Sequence, residues 1–306
     1  MTNLLQDKVA IVTGAGRGVG RGVAQLMAEE GAKVVVGDLG VNVDGSGADQ
    51  LVAEQVVAEI REAGGAAVAC AESVATMEGG EKIVQTAIDN FGKLDIVVTC
   101  AGILRDRMVF NMSEEEWDDV IAVHLKGTFS VVKNACILFR QQRSGRVITF
   151  SSTSGLYGNS GQANYGAAKD GIAGFTRVVA RDMGRYGVTA NSISPSASTR
   201  MTTSVPDEAR SLRAARGITS GTSTTLRGEP EDVAPFVTWL ASDESAHVNG
   251  HVFHVTAGLV NLLNEPQPVK TIHKDGRWTV EELVKVFPAT LGLELHNPAP
   301  APPPGS

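Results

Sequence analysis

The sequence predicts an α/β fold: a doubly wound, seven-stranded parallel sheet with helices on both faces. Three observations carry this prediction. Short apolar runs alternate regularly with stretches of helical spacing. The runs are continuously apolar rather than alternating, as expected of strands covered on both faces. A glycine-rich turn, Thr13-Gly14-Ala15-Gly16-Arg17-Gly18-Val19-Gly20, joins the first run to the first helix.

Val9 to Val12 is the first strand, and Gly18 to Glu30 is a helix with Val19, Val23, Leu26 and Met27 at helical spacing. Lys33 to Gly37 is the second strand. Ala66 to Cys70, Leu94 to Val98, Arg146 to Ser151 and Val188 to Ile193 follow, with helices between them. The β-like Val252-Phe253 comes last. Ser113-Glu114-Glu115-Glu116 is a capping box that opens a helix at Trp117. Gly31 and Gly92 stand where helices end. Gly40 to Asp49 lengthens the turn after the second strand. Residues 196–228, rich in Ser, Thr and Gly, form a long loop of the kind that serves as a lid or binding element. The pattern breaks after Gly258, leaving one short helix around Leu283 to Phe287 and a proline-rich end from Pro298 to Pro304. Residues 1–262 are therefore one catalytic domain. Residues 263–306 are an extension too small for a core of its own, expected to pack on that domain or on a neighbouring subunit.

Composition narrows the function. Of 306 residues, 42% are hydrophobic and 20% charged, and the net charge of −7 argues against nucleic acid or an anionic membrane as the main partner. No apolar run approaches the ~18 residues of a membrane span, and the chain starts without a signal-peptide pattern. Cys70, Cys100 and Cys136 are far apart and form no CxxC pair, which argues for a reducing, cytoplasmic setting. His247, His251 and His254 lie near one another in sequence, but no carboxylate cluster accompanies them, so no metal site is expected. Trp239 reads as core.

The turn from Thr13 to Gly20 has the context a phosphate cradle needs, with a strand before it and a helix after it. Gly14, Gly16, Gly18 and Gly20 let the backbone turn and approach a pyrophosphate, while Arg17 and Val19 sit among them. Asp38 closes the second strand eighteen residues beyond Gly20. A carboxylate there accepts the adenosine ribose hydroxyls and repels a 2′-phosphate, which predicts NAD. Arg17 is the counter-signal, since a cation in the cradle suits NADP.

Tyr165 and Lys169 are four residues apart on a helix, so they share a face. A free tyrosine titrates near ~10, and a cation beside it favours the phenolate. Such a tyrosine can exchange a proton with an alcohol. Ser152 ends the preceding strand thirteen residues upstream, where strand ends open into the cofactor crevice.

TGxxxGxG, the YxxxK pair and the upstream serine together resemble the short-chain dehydrogenase/reductase family over roughly residues 5–260. The resemblance implies a Rossmann-type fold. It makes Tyr165 the acid/base, Lys169 the group that lowers its pKa and holds the nicotinamide ribose, and Ser152 the group that orients the substrate. Five peptides are most similar to the (3R)-hydroxyacyl-CoA dehydrogenase modules of peroxisomal multifunctional enzyme type 2 and their bacterial relatives. They are Gly37-Asp38-Leu39-Gly40, Ala101-Gly102-Ile103-Leu104-Arg105-Asp106-Arg107, Val123-His124-Leu125-Lys126-Gly127, Gly155-Leu156-Tyr157-Gly158-Asn159 and Ser198-Thr199-Arg200-Met201-Thr202.

Departures are specific. The usual Asn-Asn-Ala-Gly is Thr99-Cys100-Ala101-Gly102, which keeps the small pair against the adenosine. The usual Asp at the adenine turn is Ser73, followed by Val74, and the usual Pro-Gly after the sixth strand is Pro195-Ser196. His124 stands where the family carries its fourth catalytic residue, an asparagine. It either joins the proton relay or is a helix histidine with its bonds satisfied. The implied substrate is a (3R)-hydroxyacyl-CoA, with Arg200, Arg213 and Arg216 as candidates for its phosphates or as plain loop charges. The alternatives are a steroid 17β-alcohol or another secondary alcohol, a 3-oxoacyl thioester reductase, or an NAD(H) sensor without turnover. A homotetramer or homodimer through the helices around 114–140 and 163–186 is implied as well.

Overall fold

In the computed structural model, residues 2–199, 228–295 and 297–298 are described. Arg200, Met201, Thr202, Arg213, Arg216 and most of the proline-rich end fall outside them. The strands are β1 (Val9–Thr13), β2 (Lys33–Gly37), β3 (Ala66–Cys70), β4 (Ile96–Thr99), β5 (Gly145–Phe150), β6 (Val188–Pro195), β7 (Val252–Thr256) and β8 (Leu259–Leu262). They pair in the order β3-β2-β1-β4-β5-β6-β7-β8. The first seven are mutually parallel, as expected of a doubly wound sheet.

The eighth strand corrects the expected count. β8 runs antiparallel to β7, with Thr256 opposite Leu259. The two residues between them, Ala257 at φ 32° and Gly258 at φ 79°, have the positive φ values that a tight hairpin demands. All four β8 residues are exposed, so β8 contributes no buried run for periodicity to detect.

The helices divide between the two faces. On one side lie α1 (Gly18–Glu29), α2 (Leu51–Glu62) and α8 (Ala234–Leu240). Their Val23, Met27, Val56, Ile60 and Val237 close over Val12, Val34, Val36 and Ile193. On the other side lie α3 (Met77–Phe91), α5 (Gly127–Gln142) and α7 (Ala163–Met183). Ile83, Val131, Phe139 and Val179 cover Ile11, Val35, Val97 and Val147 there. Trp239 is partly buried against the first cluster, stacked on Phe236.

α4 (Glu114–Ile121) opens with the expected capping box, in which Ser113 accepts from the Glu116 amide at 3.1 Å and the Ser113 amide donates to Glu116 at 3.0 Å. α4 runs into a π-helical turn over Ala122–Lys126 and on into α5. Glu114–Gln142 is thus one 29-residue helix, long and apolar enough on average to cross a membrane. The apolar character is an average only, since Glu114, Asp118, Lys126, Lys133 and Arg140 interrupt any continuous apolar run. The inner side of the helix, with Val120, His124, Val131 and Phe139, is buried in the fold.

α9 (Val280–Val286) is the short helix foreseen in the extension. The extension carries no buried residue among those described beyond Leu262. It is tied to the sheet domain where the Leu263 amide donates to the Val252 carbonyl at 3.0 Å and where His251 pairs with Glu265 at 3.5 Å.

Candidate active site

The carboxyl ends of the parallel strands surround a cavity of about 1250 Å³. Gly14, Arg17, Gly18, Val19, Gly20, Asp38, Ser73, Val74, Cys100, Ala101, Gly102, His124, Ser152, Tyr165, Lys169 and Pro195 all line it. Gly16 stands just behind this lining, its amide donating to Asp38 Oδ2 at 2.8 Å.

The nucleotide end is built by close backbone approach. Gly14 has φ 66°, and a Cβ there would lie 2.7 Å from Ala101 Cα, so only glycine lets the turn pass the end of β4. The Cys100 amide donates to the Thr13 carbonyl at 3.1 Å, and the Ala101 amide to Thr13 Oγ1 at 3.4 Å. No side chain caps α1, so its first amides remain suited to an anion. Asp38 accepts from Gly16 N and, through Oδ1, from Gly40 N at 2.7 Å. These bonds place its carboxylate at the mouth of the cradle. The Arg17 guanidinium turns to the Val41 carbonyl at 3.3 Å. The cradle therefore fits a dinucleotide, with the pyrophosphate on α1 and a ribose at Asp38.

The reacting end gathers on α6 (Thr153–Leu156) and α7. Ser152 precedes α6 and accepts from the Ser154 amide at 3.2 Å. α6 reaches α7 at Gly155, where a Cβ would lie 2.5 Å from Asp170 N. That approach sets the Ser152 side chain beside the Tyr165 phenol, near enough to act on its proton. The start of α7 is fixed by Asn164, whose side-chain amide donates to the carbonyls of Arg105 at 3.0 Å and Glu116 at 2.8 Å. Lys169 Nζ donates to the Phe150 carbonyl at 2.7 Å and stands 5.6 Å from the Tyr165 ring centre.

The electrostatics differ from the sequence expectation at one point. Enclosure in the site pushes the Tyr165 phenol up to about 12, and the Ser152 hydroxyl beside it acts against that rise. Burial also pushes Lys169 down to about 8. Desolvation disfavours both charged forms, so the lysine does not dominate the phenol as spacing alone suggests. Burial likewise drives the Cys100 thiol far up, which makes it an inert wall of the cavity.

His124 sits on the π turn, packed edge-on to Tyr165 with ring centres 5.0 Å apart. Its Nε2 faces the Ile103 backbone, 2.7 Å from the carbonyl oxygen and 3.1 Å from the amide nitrogen, so it meets a donor and an acceptor at once. Nδ1 is buried without a partner among the described residues. The fully satisfied helix histidine is thus not what the fold contains. Burial first, and then the Lys169 charge, hold this ring near about 3, so it is neutral. Gly102 makes room for it, since a Cβ there would meet the ring.

Several lining residues were not anticipated from the sequence. Val41, Asn42, Val43 and Gly45 fold over the cavity, pinned where the Leu104 amide donates to the Val43 carbonyl at 2.8 Å. Asp106 joins through Oδ2, which accepts from Gln162 at 2.9 Å, and its charge adds to the rise at Tyr165. The three nearby histidines part company. His247 stacks edge-on against Trp239, His251 pairs with Glu265, and His254 lines the cavity. Among the described residues, no group of three His, Cys, Asp or Glu side chains is placed to hold a metal.

A dinucleotide cradle at one end of a sheet crevice, with a Ser–Tyr–Lys group further along it, defines a nicotinamide-dependent oxidoreductase acting on CH–OH groups. Residues 14–260 match a family model described as enoyl-(acyl carrier protein) reductase, and the chain belongs to the short-chain dehydrogenase/reductase family. It is 42% identical over 291 residues to a hydroxyacyl-CoA dehydrogenase, ChsB1, of Mycobacterium tuberculosis, covering 92% of this chain and 88% of that one. It is 45% identical over 258 residues to mouse peroxisomal multifunctional enzyme type 2, covering 84% of this chain but 32% of the longer mouse protein. The crystal structure of a short chain dehydrogenase from Mycobacterium avium superposes with a TM-score of 0.80 at 42% identity, covering 98% of each chain.

Proposed function

We propose that the protein is a cytoplasmic, NAD-dependent dehydrogenase of (3R)-hydroxyacyl-CoA thioesters. The observation that carries this reading is one cavity lined by Asp38 at its nucleotide end and by Ser152, Tyr165 and Lys169 at its reacting end. Asp38 supports NAD, because its carboxylate at the cradle mouth would repel a 2′-phosphate while Arg17 is turned to the Val41 carbonyl. The substrate class draws support from the name of the mycobacterial relative, which matches nearly the whole chain. Exposed Phe129 and Ile137 on α5 and Val178 on α7 support a homotetramer or homodimer through these helices.

When bound, the nicotinamide would supply the carbon that accepts or donates the hydride. Ser152 holds the substrate oxygen by hydrogen bonding. In its phenolate form Tyr165 takes the alcohol proton at its oxygen, and as the phenol it gives a proton to the substrate oxygen when a ketone is reduced. Lys169, anchored on the Phe150 carbonyl, keeps an ammonium beside that ring. His124, edge-on to the Tyr165 ring, holds an unpaired Nδ1 beside this group.

The decisive experiment is a steady-state panel with NAD against (3R)-hydroxyacyl-CoA chain lengths and steroid or simple secondary alcohols. Strong preference for the CoA thioesters is expected. Comparable kcat/KM on free alcohols removes the CoA assignment. Faster NADPH-driven reduction of 3-oxoacyl carrier-protein thioesters makes the protein a biosynthetic reductase. Nucleotide binding with no turnover makes it a sensor. Within this panel, Tyr165→Phe is expected to lower kcat about 10²- to 10⁴-fold with NAD binding retained. Full activity of that variant refutes the role given to Tyr165.

A further inference from the structure

His254 is 5% exposed and lines the catalytic cavity, yet neither ring nitrogen has a hydrogen-bond partner among the described residues. A neutral imidazole carries one donor and one acceptor. Leaving such groups buried and unpaired is unfavourable, so a partner is expected to fill the recess. The ring is turned to the working face of the sheet. Its neighbours Phe253 and Val255 pack into the core on the α1 and α8 side, so His254 points the other way, towards the layer that carries Tyr165. Ser194 stands level with it on β6, fully buried, and its hydroxyl is unpaired too. The two strands together present a polar recess, continued on the same face by Ser192, Thr149 and Ser151.

Its position along the sheet decides what can reach it. The cofactor's adenosine end lies at β2, through Asp38, and the reacting centre lies at the end of β5, through Ser152. His254 is on β7, two strands further from the adenosine. Two strand spacings are about 10 Å. A serine hydroxyl, a three-carbon fragment and a histidine side chain together span that gap. In a 3-hydroxyacyl thioester, the thioester carbonyl sits two carbons from the carbinol carbon. It is an acceptor with no other role in the chemistry described above.

We propose that a His254 ring N–H donates to the thioester carbonyl of the substrate, with Ser194 beside it, and thereby sets a preference for 3-hydroxyacyl thioesters over plain secondary alcohols. This rests on the proposed hydroxyacyl thioester activity.

The test compares kcat/KM with NAD for a (3R)-3-hydroxyacyl-CoA and for a 2-alkanol of matched chain length. It uses the wild-type enzyme, His254→Phe, His254→Leu and His254→Gln, each checked for NAD binding by fluorescence titration. The thioester-to-alcohol ratio is expected to fall about 10- to 100-fold in the Phe and Leu variants, the range of a lost hydrogen bond to a buried group. The Gln variant, which keeps a donor, is expected to recover part of it. A ratio that stays at the wild-type value in whichever apolar variant binds NAD overturns the proposal, as does equal loss on both substrates. If the wild-type ratio itself shows no thioester preference, the proposed activity fails first, and the wild-type arm alone reveals that. Preference in the wild type with no change in the variants removes only the role of His254.

Discussion

His124 shows how one side chain couples the fold to solution conditions. Its folded pKa, near about 3, lies below the ordinary histidine value of 6.5 because burial disfavours the charged ring. The unfolded chain therefore binds a proton that the folded chain refuses. The resulting stability is present above the unfolded value and is lost as pH falls from there towards the folded one. Between pH 7 and pH 5 this group alone should cost about 2 kcal/mol of unfolding free energy. His124→Asn is expected to flatten that loss in urea unfolding at the two pH values, and parallel curves for the two proteins would contradict it. At the other end of the cavity, Asp38→Ala removes a charged acceptor and the repulsion of a 2′-phosphate. The ratio of kcat/KM for NADP to that for NAD should rise about 10- to 100-fold. An unchanged ratio would return the decision to Arg17.

At the scale of elements, the site depends on how tightly α6 and α7 approach. Gly155 has no room for a Cβ against the α7 backbone. Gly155→Ala should push α6 outwards and loosen the Ser152–Tyr165 contact. The expected result is a fall in kcat with little change in the dissociation constant for NAD, measured by fluorescence titration. A matching loss of NAD affinity would instead place the damage in the cradle. The π turn in the Glu114–Gln142 helix belongs to the same scale. One extra residue in that turn puts His124 under Gly102 and against Tyr165, a use typical of π turns at functional sites. Helical spacing over 114–140 was legible in the sequence. The π turn was not, because one inserted residue barely disturbs an average over 29.

For the whole molecule, two apolar layers enclose one parallel sheet, and both clusters draw only on residues up to Val255. We therefore propose residues 1–262 as the autonomous catalytic unit and 263–306 as an added surface segment. Deleting 263–306 is expected to leave the thermal midpoint within a few degrees and NAD binding intact. A collapse of either would show that the extension completes the fold. Val269, Val280 and Val284 remain exposed on the extension, so the same truncation also reports, by light scattering, whether it joins subunits.

The parts of this protein that the sequence determined by itself are those enforced over short chain distances. A glycine-rich turn between strand and helix, a tyrosine four residues before a lysine, and a capping serine three before a glutamate each follow from covalent geometry and helix pitch. The cradle, the Tyr165–Lys169 pair and the succession of seven strands along the chain were legible for that reason. Only the tertiary structure decided what distant segments do to one another. It bent the Val41–Gly45 stretch over the cavity, set Asp106 against Gln162, and raised Tyr165 by enclosing it. It added β8 as an exposed edge. It also separated three neighbouring histidines so that His254 alone faces the reaction. Those outcomes turn on burial and on which strands lie side by side, quantities that no local spacing contains.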